Sequence, residues 1–292
     1  MNIKAVDVKK LRDITNAGMM DCKKALLESD GDFERAKTLL KEKGQSKADS
    51  KSGRTTAQGL VVIESNNDFA VILEVNCETD FAAKDELFMD FINKIASLIL
   101  QNNIDSMDQL EDQKIDDHEN INEYRRFVIS KLGENITVRR FQRLQLDGVL
   151  GSYIHGAKIG SLILLDKNGS NELAKDLAMH VAASKPEYLS NSEIPDEVIN
   201  EESRILRLQV EKEGKPEEII DKIVGGKLKK QFNQLTLMGQ EYVKDPDISV
   251  EELLKNNDAS VKSFIRYEVG EGIEKEQVNF ADEVKAQVDA QK

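Results

Sequence analysis

Residues 71–88, VILEVNCETDFAAKDELF, constrain this chain more than any other stretch. Val71, Ile72, Leu73 and Val75 form a short, β-branched apolar run between turn residues, the pattern of a buried strand rather than a helix. Beyond Lys84, residues Phe88, Phe91, Ile92, Ile95, Leu98 and Ile99 recur at three- and four-residue spacing, which predicts a helix over 83–100 with one apolar face. Asn76-Cys77-Glu78-Thr79-Asp80-Phe81 must then turn the corner from strand to helix. A polar, acidic corner carrying one large aromatic is where a scaffold presents a functional group. The residues admit two readings. In one, Asp80 caps the helix and Phe81 folds under as a core plug. In the other, Phe81 is an exposed wedge that enters a partner's pocket.

Charge narrows the choice of partner. The formal charge is −13. Nucleic acids and anionic membranes are held mainly by basic patches, so a protein partner fits better than either. No apolar run approaches the roughly 20 residues of a membrane span, and residues 1–7 lack the apolar core of a signal peptide. Cys22 and Cys77 have no CxxC partner or nearby histidine, which reads as reduced thiols in a cytoplasmic protein without a metal site. Catalytic signatures are missing as well: there is no phosphate loop, no GxGxxG after a strand and no GxSxG. His118, His155 and His180 are too dispersed for a cluster. His180 lies near the apolar face of its helix and reads as a satisfied core histidine. Adjacent Glu78 and Asp80 invite an acid–base reading, but acidic neighbours on a loop are more often simply solvated. The expectation is a non-enzymatic protein without a cofactor.

With 292 residues the chain can build two or three domains. Residues 1–43 read as three short helices. Val6, Val8, Leu11 and Ile14 mark the first; Asp21 caps the second; Asp32 caps the third, which Gly44 ends. Met19 and Met20 fall at the turn between the first two, either plugging the small core or touching a partner. Residues 44–56 read as a polar linker. A hairpin, a helix and a late strand then appear twice. The first set is 60–64, 69–75, 83–100 and 136–146, with a helix Ile121–Leu132 closed by Gly133. The second is Val149–His155, Ile159–Leu165, a helix carrying Leu173, Leu177 and Val181, and 261–269. This repetition predicts two related α+β subdomains, 57–146 and 147–186 with 227–270, each a three-stranded antiparallel sheet covered by helices. Between Pro186 and Gly226 the apolar residues form two helical seams around Gly214-Lys215-Pro216, an inserted antiparallel hairpin over 187–226. Gly225-Gly226 loosen its end. Within residues 271–292 a short C-terminal helix is expected from Phe280.

The stretch 74–84, EVNCETDFAAK, and the earlier stretch 11–26, LRDITNAGMMDCKKAL, resemble the two signatures of the bacterial translation elongation factor Ts family. Later blocks agree in order: Gly151-Ser152-Tyr153-Ile154-His155-Gly156, the stretch AMHVAASKP at 178–186, and IRYEVGEG at 265–272. Two positions depart: Asn16 stands where Gly, Asp or Gln is usual, and Ala82 where Val is. The resemblance implies a guanine-nucleotide exchange factor that binds elongation factor Tu, GDP-bound and nucleotide-free. It implies that Asp80, Phe81, Ala82 and Ala83 push into the GTPase and disturb its Mg²⁺ site. Arg12, Met19, Met20 and His155 become further partner contacts, His155 near the third domain of the partner. The first 43 residues become a ubiquitin-associated-like domain, the insertion a coiled coil and residues 271–292 a separate C-terminal module. A homodimer or a two-by-two complex with the partner is left open. Two other readings compete: an adaptor that binds through the three-helix domain without exchange activity, and a hydrolase using Cys77 with Glu78 or Asp80.

Overall fold

The computed structural model describes residues 3–15, 17–212 and 216–274. The described residues fall into two compact units, one drawn from those up to Leu60, Leu73–Gln142 and those from Val269 on, the other from those of Val61–Ile72 and Arg143–Glu268. The architecture is mixed, with α-helices around two three-stranded sheets and one two-stranded sheet.

The first unit opens with α1 (Ala5–Thr15), α2 (Met19–Glu28) and α3 (Phe33–Asp49). Val8, Leu11, Cys22, Ala25, Leu26 and Ala36 make a small shared core. Asp32 caps α3 as expected, its carboxylate accepting from the Glu34 and Arg35 amides at 2.9 and 3.1 Å. Asp21 does not cap α2: Gly18 holds that position without a side-chain bond, and Asp21 lies within the first turn, where its charge suits the helix N-terminus. Nor does Gly44 end α3. The helix continues to Asp49 because tertiary contacts outweigh the roughly 1 kcal/mol penalty of a helical glycine. It runs along α6 (Ile121–Leu132), with Lys41 paired to Glu123 at 2.6 Å and Arg126 to Asp49 at 3.1 Å. The polar stretch expected as linker is therefore half helix. Its remainder is tied down too, by the Lys51 ammonium on the Gly133 carbonyl and by the Asn135 side-chain amide, which donates to the carbonyls of Ser52 and Arg54.

Next in the chain come β1 (Gln58–Ser65) and β2 (Phe69–Cys77), of which 58–60 and 73–77 belong to the first unit and 61–72 to the second. The turn between them has the Asn66 side chain accepting from the amides of Asp68 and Phe69. A single 3₁₀ turn (Ala82–Lys84) precedes α4 (Glu86–Asn102), so the helix starts three residues later than its apolar spacing predicts. A short α5 (Met107–Glu111), which the apolar pattern did not announce, comes before α6 and β3 (Ile136–Gln145). β2 is the central strand of the sheet β1-β2-β3 and is buried from Ala70 to Cys77. Its charged member, Glu74, is wholly buried and fully occupied. Arg139 donates to it at 2.9 Å, Arg140 at 2.6 Å and the Gly270 amide at 2.8 Å.

The second unit is organised on β4 (Val149–His155), β5 (Ile159–Leu165) and β8 (Val261–Glu268), an antiparallel sheet of order β4-β5-β8. Helix α7 (Asn171–Ser184) covers it. The two approach so closely that a Cβ on Gly151 would sit 2.0 Å from the Ala174 carbonyl oxygen, which accounts for a glycine in mid-strand. Ile163, Leu165, Leu177, Val181, Leu237, Val250 and Leu254 fill the core below. Two long helices follow, α8 (Asp196–Glu211) and α9 (Glu217–Leu235), seamed by Val210, Ile220 and Val224. Gly225 and Gly226 do not loosen the second: α9 runs through them for two more turns. β6 (Glu241–Tyr242), β7 (Asp245–Ser249) and α10 (Val250–Asn256) were not anticipated, being too short for periodicity to register. Asn16, Gly214, Lys215 and the helix expected from Phe280 lie outside the described residues.

His180 on α7 is fully buried, as its place on the apolar face predicts. The Val243 amide donates to Nδ1 at 3.2 Å, which assigns the proton to Nε2, and Nε2 donates to Gln240 Oε1 at 2.9 Å. Desolvation pushes its pKa below the usual value, and the Gln240 bond only partly offsets this. The folded state thus refuses a proton that the unfolded chain takes up below about pH 6.5. Stability should be complete above that pH and fall below it.

Two predictions follow from this packing. Replacing His180 by Asn should lower stability at pH 7.5, and the gap to wild type in urea unfolding should narrow toward pH 5.5; a gap independent of pH would show that the folded and unfolded chains bind the His180 proton equally, and a gap that widens would show His180 protonated in the fold. Glu74→Ala leaves two arginines without their shared acceptor and should reduce the unfolding free energy by about 3 kcal/mol, measured the same way.

Candidate partner-binding site

The corner after β2 is built by an exchange between two backbone segments. Residues 78–79 leave the strand, and residues 134–135 enter β3 just past the end of α6. Gly133 closes α6 at φ +77, a left-handed conformation that glycine adopts without strain. Glu134, next in the chain, reaches across: its carboxylate accepts from the Thr79 amide at 2.9 Å and the Thr79 hydroxyl at 2.6 Å. Glu78 returns the arrangement, accepting from the Asn135 amide at 2.6 Å, with the Arg54 guanidinium 3.4 Å away. The Cys77 thiol donates to the Thr79 carbonyl at 3.1 Å. Thr79 is thus held from three sides, and its hydroxyl accepts from the Ala82 amide at 3.2 Å.

That last bond starts the 3₁₀ turn. The Lys84 and Asp85 amides donate to the carbonyls of Phe81 and Ala82 at 3.1 Å each. A 3₁₀ turn eclipses residues three apart. Phe81 and Lys84 accordingly face water, while Ala82 and Ala83 between them are buried. Phe81 is 79% exposed, the most exposed of the large apolar side chains among the described residues. The core-plug reading of Phe81 therefore does not hold. Its companion fails as well: the cap of α4 is Asp85, whose carboxylate accepts from the Leu87 amide at 2.8 Å. Asp80 instead pairs with Lys84 at 3.0 Å on the surface. Ala82 and Ala83 support the turn from beneath rather than face outward.

A second group lies on the N-terminal helices of the same unit. Arg12 is exposed on α1, and Met19 and Met20 are 47% and 62% exposed in the first turn of α2, so neither methionine plugs the three-helix core. Val6, Ile14 and Leu27 are exposed beside them in the chain. In the second unit, His155 ends β4 at the hairpin tip, solvent-exposed, with its Nδ1 3.2 Å from the Tyr153 hydroxyl. Cys77 is fully buried with its thiol on a backbone carbonyl, and offers no nucleophile to a substrate. No group of three acidic, cysteine or histidine side chains that could hold a metal occurs among the described residues. None of their helices is long and apolar enough to cross a membrane.

Comparison with known proteins decides the family. The family model described as "Elongation factor TS" matches residues 78–271. The chain belongs to the elongation factor Ts family. Relatives carrying the name Elongation factor Ts align nearly end to end. That of Legionella pneumophila strain Paris is 48% identical, with 98% of each chain covered. That of Hydrogenovibrio crunogenus is 46% identical over 98% of each chain. That of Methylococcus capsulatus is 47% identical over 99% of this chain and all of its own.

The far half of the exchange that shapes the Asp80–Phe81 corner in this member of the Ts family, Glu134 and Asn135, is not announced by the sequence. Glu134 and Asn135 are more than fifty residues away in the chain and carry no local pattern. The one cue was the placement of a glycine helix stop directly before the third strand. Because Phe81 is in water, its truncation should leave the fold intact. Phe81→Ala is expected to shift the melting temperature little, whereas a core phenylalanine costs about 3–5 kcal/mol; an early-melting variant would return Phe81 to the core.

Proposed function

We propose that this protein is a guanine-nucleotide exchange factor for elongation factor Tu, binding the GTPase with GDP, promoting GDP release and so allowing GTP to enter during translation elongation. Its membership of the elongation factor Ts family supports the role. The observation that carries the mechanism is Phe81, an aromatic held out in water on a rigid 3₁₀ turn beside an acidic residue. A solvated aromatic with no folding role, on a clamped backbone, is suited to anchor an interface.

Such a protein performs no covalent chemistry. It binds the nucleotide-free partner more tightly than the GDP-bound one, and by reciprocity weakens GDP. The partner grips GDP through its phosphate loop and Mg²⁺. Phe81 enters the GTPase, Asp80 brings negative charge toward the Mg²⁺ site, and Ala82 and Ala83 hold the turn that presents them. Arg12, Met19 and Met20 form a second contact, with methionine supplying adaptable apolar surface, and His155 a third.

In this reading, residues 1–43 form a ubiquitin-associated-like domain. Residues 57–146 and 147–186 with 227–270 form two related core subdomains, 187–226 a coiled-coil insertion and 271–292 a C-terminal module. The protein acts in the cytoplasm and needs no cofactor or nucleic acid.

Stopped-flow release of fluorescent GDP from elongation factor Tu tests the proposal. Wild type should accelerate release strongly, and Phe81→Ala should slow stimulated release at least tenfold, since about 1.4 kcal/mol of lost differential binding is worth that factor. Met20→Ala should weaken association by roughly 1–2 kcal/mol. If Met20→Ala weakens binding while Phe81→Ala is without effect on release, the protein is an adaptor acting through its N-terminal helices.

A further inference from the structure

We propose that Glu134 is the positioning residue of the Asp80–Phe81 turn, a clamp that holds the aromatic in its partner-ready direction before any partner arrives. The inference rests on the reading of that turn as the element that disturbs the partner.

Glu134 stands where its position is set for it. It follows the left-handed Gly133 that ends α6, and the Gly133 carbonyl is itself bonded by the Lys51 ammonium. Its two carboxylate oxygens go to one residue, Oε2 to the Thr79 amide and Oε1 to the Thr79 hydroxyl. Charge-assisted bonds of this kind are roughly twice as strong as neutral ones, and two of them fix an orientation as well as a distance. With its hydrogen donated to Glu134, the Thr79 oxygen presents a lone pair to the Ala82 amide. Asp80 and Phe81 are the only residues between these two fixed points. Their backbone is therefore directed by a side chain that does not itself neighbour them in the chain. Glu78 on Asn135 closes the exchange from the other side. A loop ordered in advance does not lose that freedom on binding, so the benefit of the clamp appears in the rate of exchange more than in the stability of the fold.

The test compares Glu134→Ala, Thr79→Val and Thr79→Ser with wild type and with Phe81→Ala, each as the full chain. The readouts are thermal melting and stimulated GDP release from elongation factor Tu over a range of factor concentrations. Thr79→Val keeps the shape and the backbone bond but loses the hydroxyl link; Thr79→Ser keeps the link. Glu134→Ala and Thr79→Val are expected to lower the saturating release rate about fivefold to tenfold, with melting near wild type and Thr79→Ser close to full rate. The double variant Glu134→Ala with Thr79→Val should be no slower than the more impaired single variant. Wild-type rates in both Glu134→Ala and Thr79→Val, alongside an impaired Phe81→Ala, overturn the clamp and leave the exchange reading standing. A wild-type rate in Phe81→Ala overturns the wedge reading on which the clamp depends. Should Glu134→Ala fail to fold, the contrast between Thr79→Val and Thr79→Ser decides alone: equal rates overturn the proposal.

Discussion

A strand buried on both faces has to come out into water somewhere, and the exit of β2 governs the shape of the candidate site. From Ala70 to Cys77 this strand has no exposed residue. Two of its buried members are polar, and the charged one, Glu74, is tolerated only because two guanidinium groups and an amide converge on it. At Cys77 the environment changes within one residue. Two backbone amides there are taken by carboxylates: Glu134 takes the Thr79 amide, and Glu78 takes the Asn135 backbone amide. That exchange, the Cys77 thiol on the Thr79 carbonyl and the amide bonds of the 3₁₀ turn together hold the corner rigid.

Rigidity explains how a protein can afford a phenylalanine in water. Leaving such a side chain unburied forgoes roughly 1.5–3 kcal/mol. A flexible loop would recover part of this by folding the ring against its own surface. Here the turn forbids it. The two small residues, Ala82 and Ala83, occupy the inward positions and Phe81 the outward one. A 3₁₀ turn cannot exchange those faces without breaking the bonds to Thr79 and Phe81 that define it. An apolar group held ready but uncovered gives binding energy only when a partner covers it, and exchange requires that kind of differential interaction.

How much of this was legible in the sequence depends on the range of the forces involved. Elements marked by their own apolar residues and by a flanking turn or glycine stop, such as Ile121–Leu132, Val149–His155 and Ile159–Leu165, were read with their ends correct. Ends set by distant contacts were not. Gly44 reads as a helix stop until α6 is seen beside it, and Gly225-Gly226 until α9 is seen running on past them. At the site, the corner and its two rival readings were visible in the residue pattern, but the pattern did not choose between them; only the family resemblance favoured the exposed wedge. Asp80 and Asp85 are equally good caps by composition, and what selects Asp85 is the intervening 3₁₀ turn, itself dictated by Thr79 and hence by Glu134. No local rule connects position 79 with position 134. The pattern likewise left Met19 and Met20 open, since a three-helix core of this size could have been filled either way, and only the resemblance made them partner contacts.

The chain contains no tryptophan, so Phe81→Trp places a unique fluorophore on the turn at the point the account makes central. In the free protein the indole should emit as a water-exposed group and be readily quenched by iodide. Addition of elongation factor Tu, after subtraction of the partner's own signal, should shift the emission to the blue and protect it from iodide. Excess GDP should reverse both changes, because nucleotide and wedge compete through the partner. An indole that stays red-shifted and fully quenchable in a demonstrated complex would contradict the account, for Phe81 would then remain in water where its function requires burial.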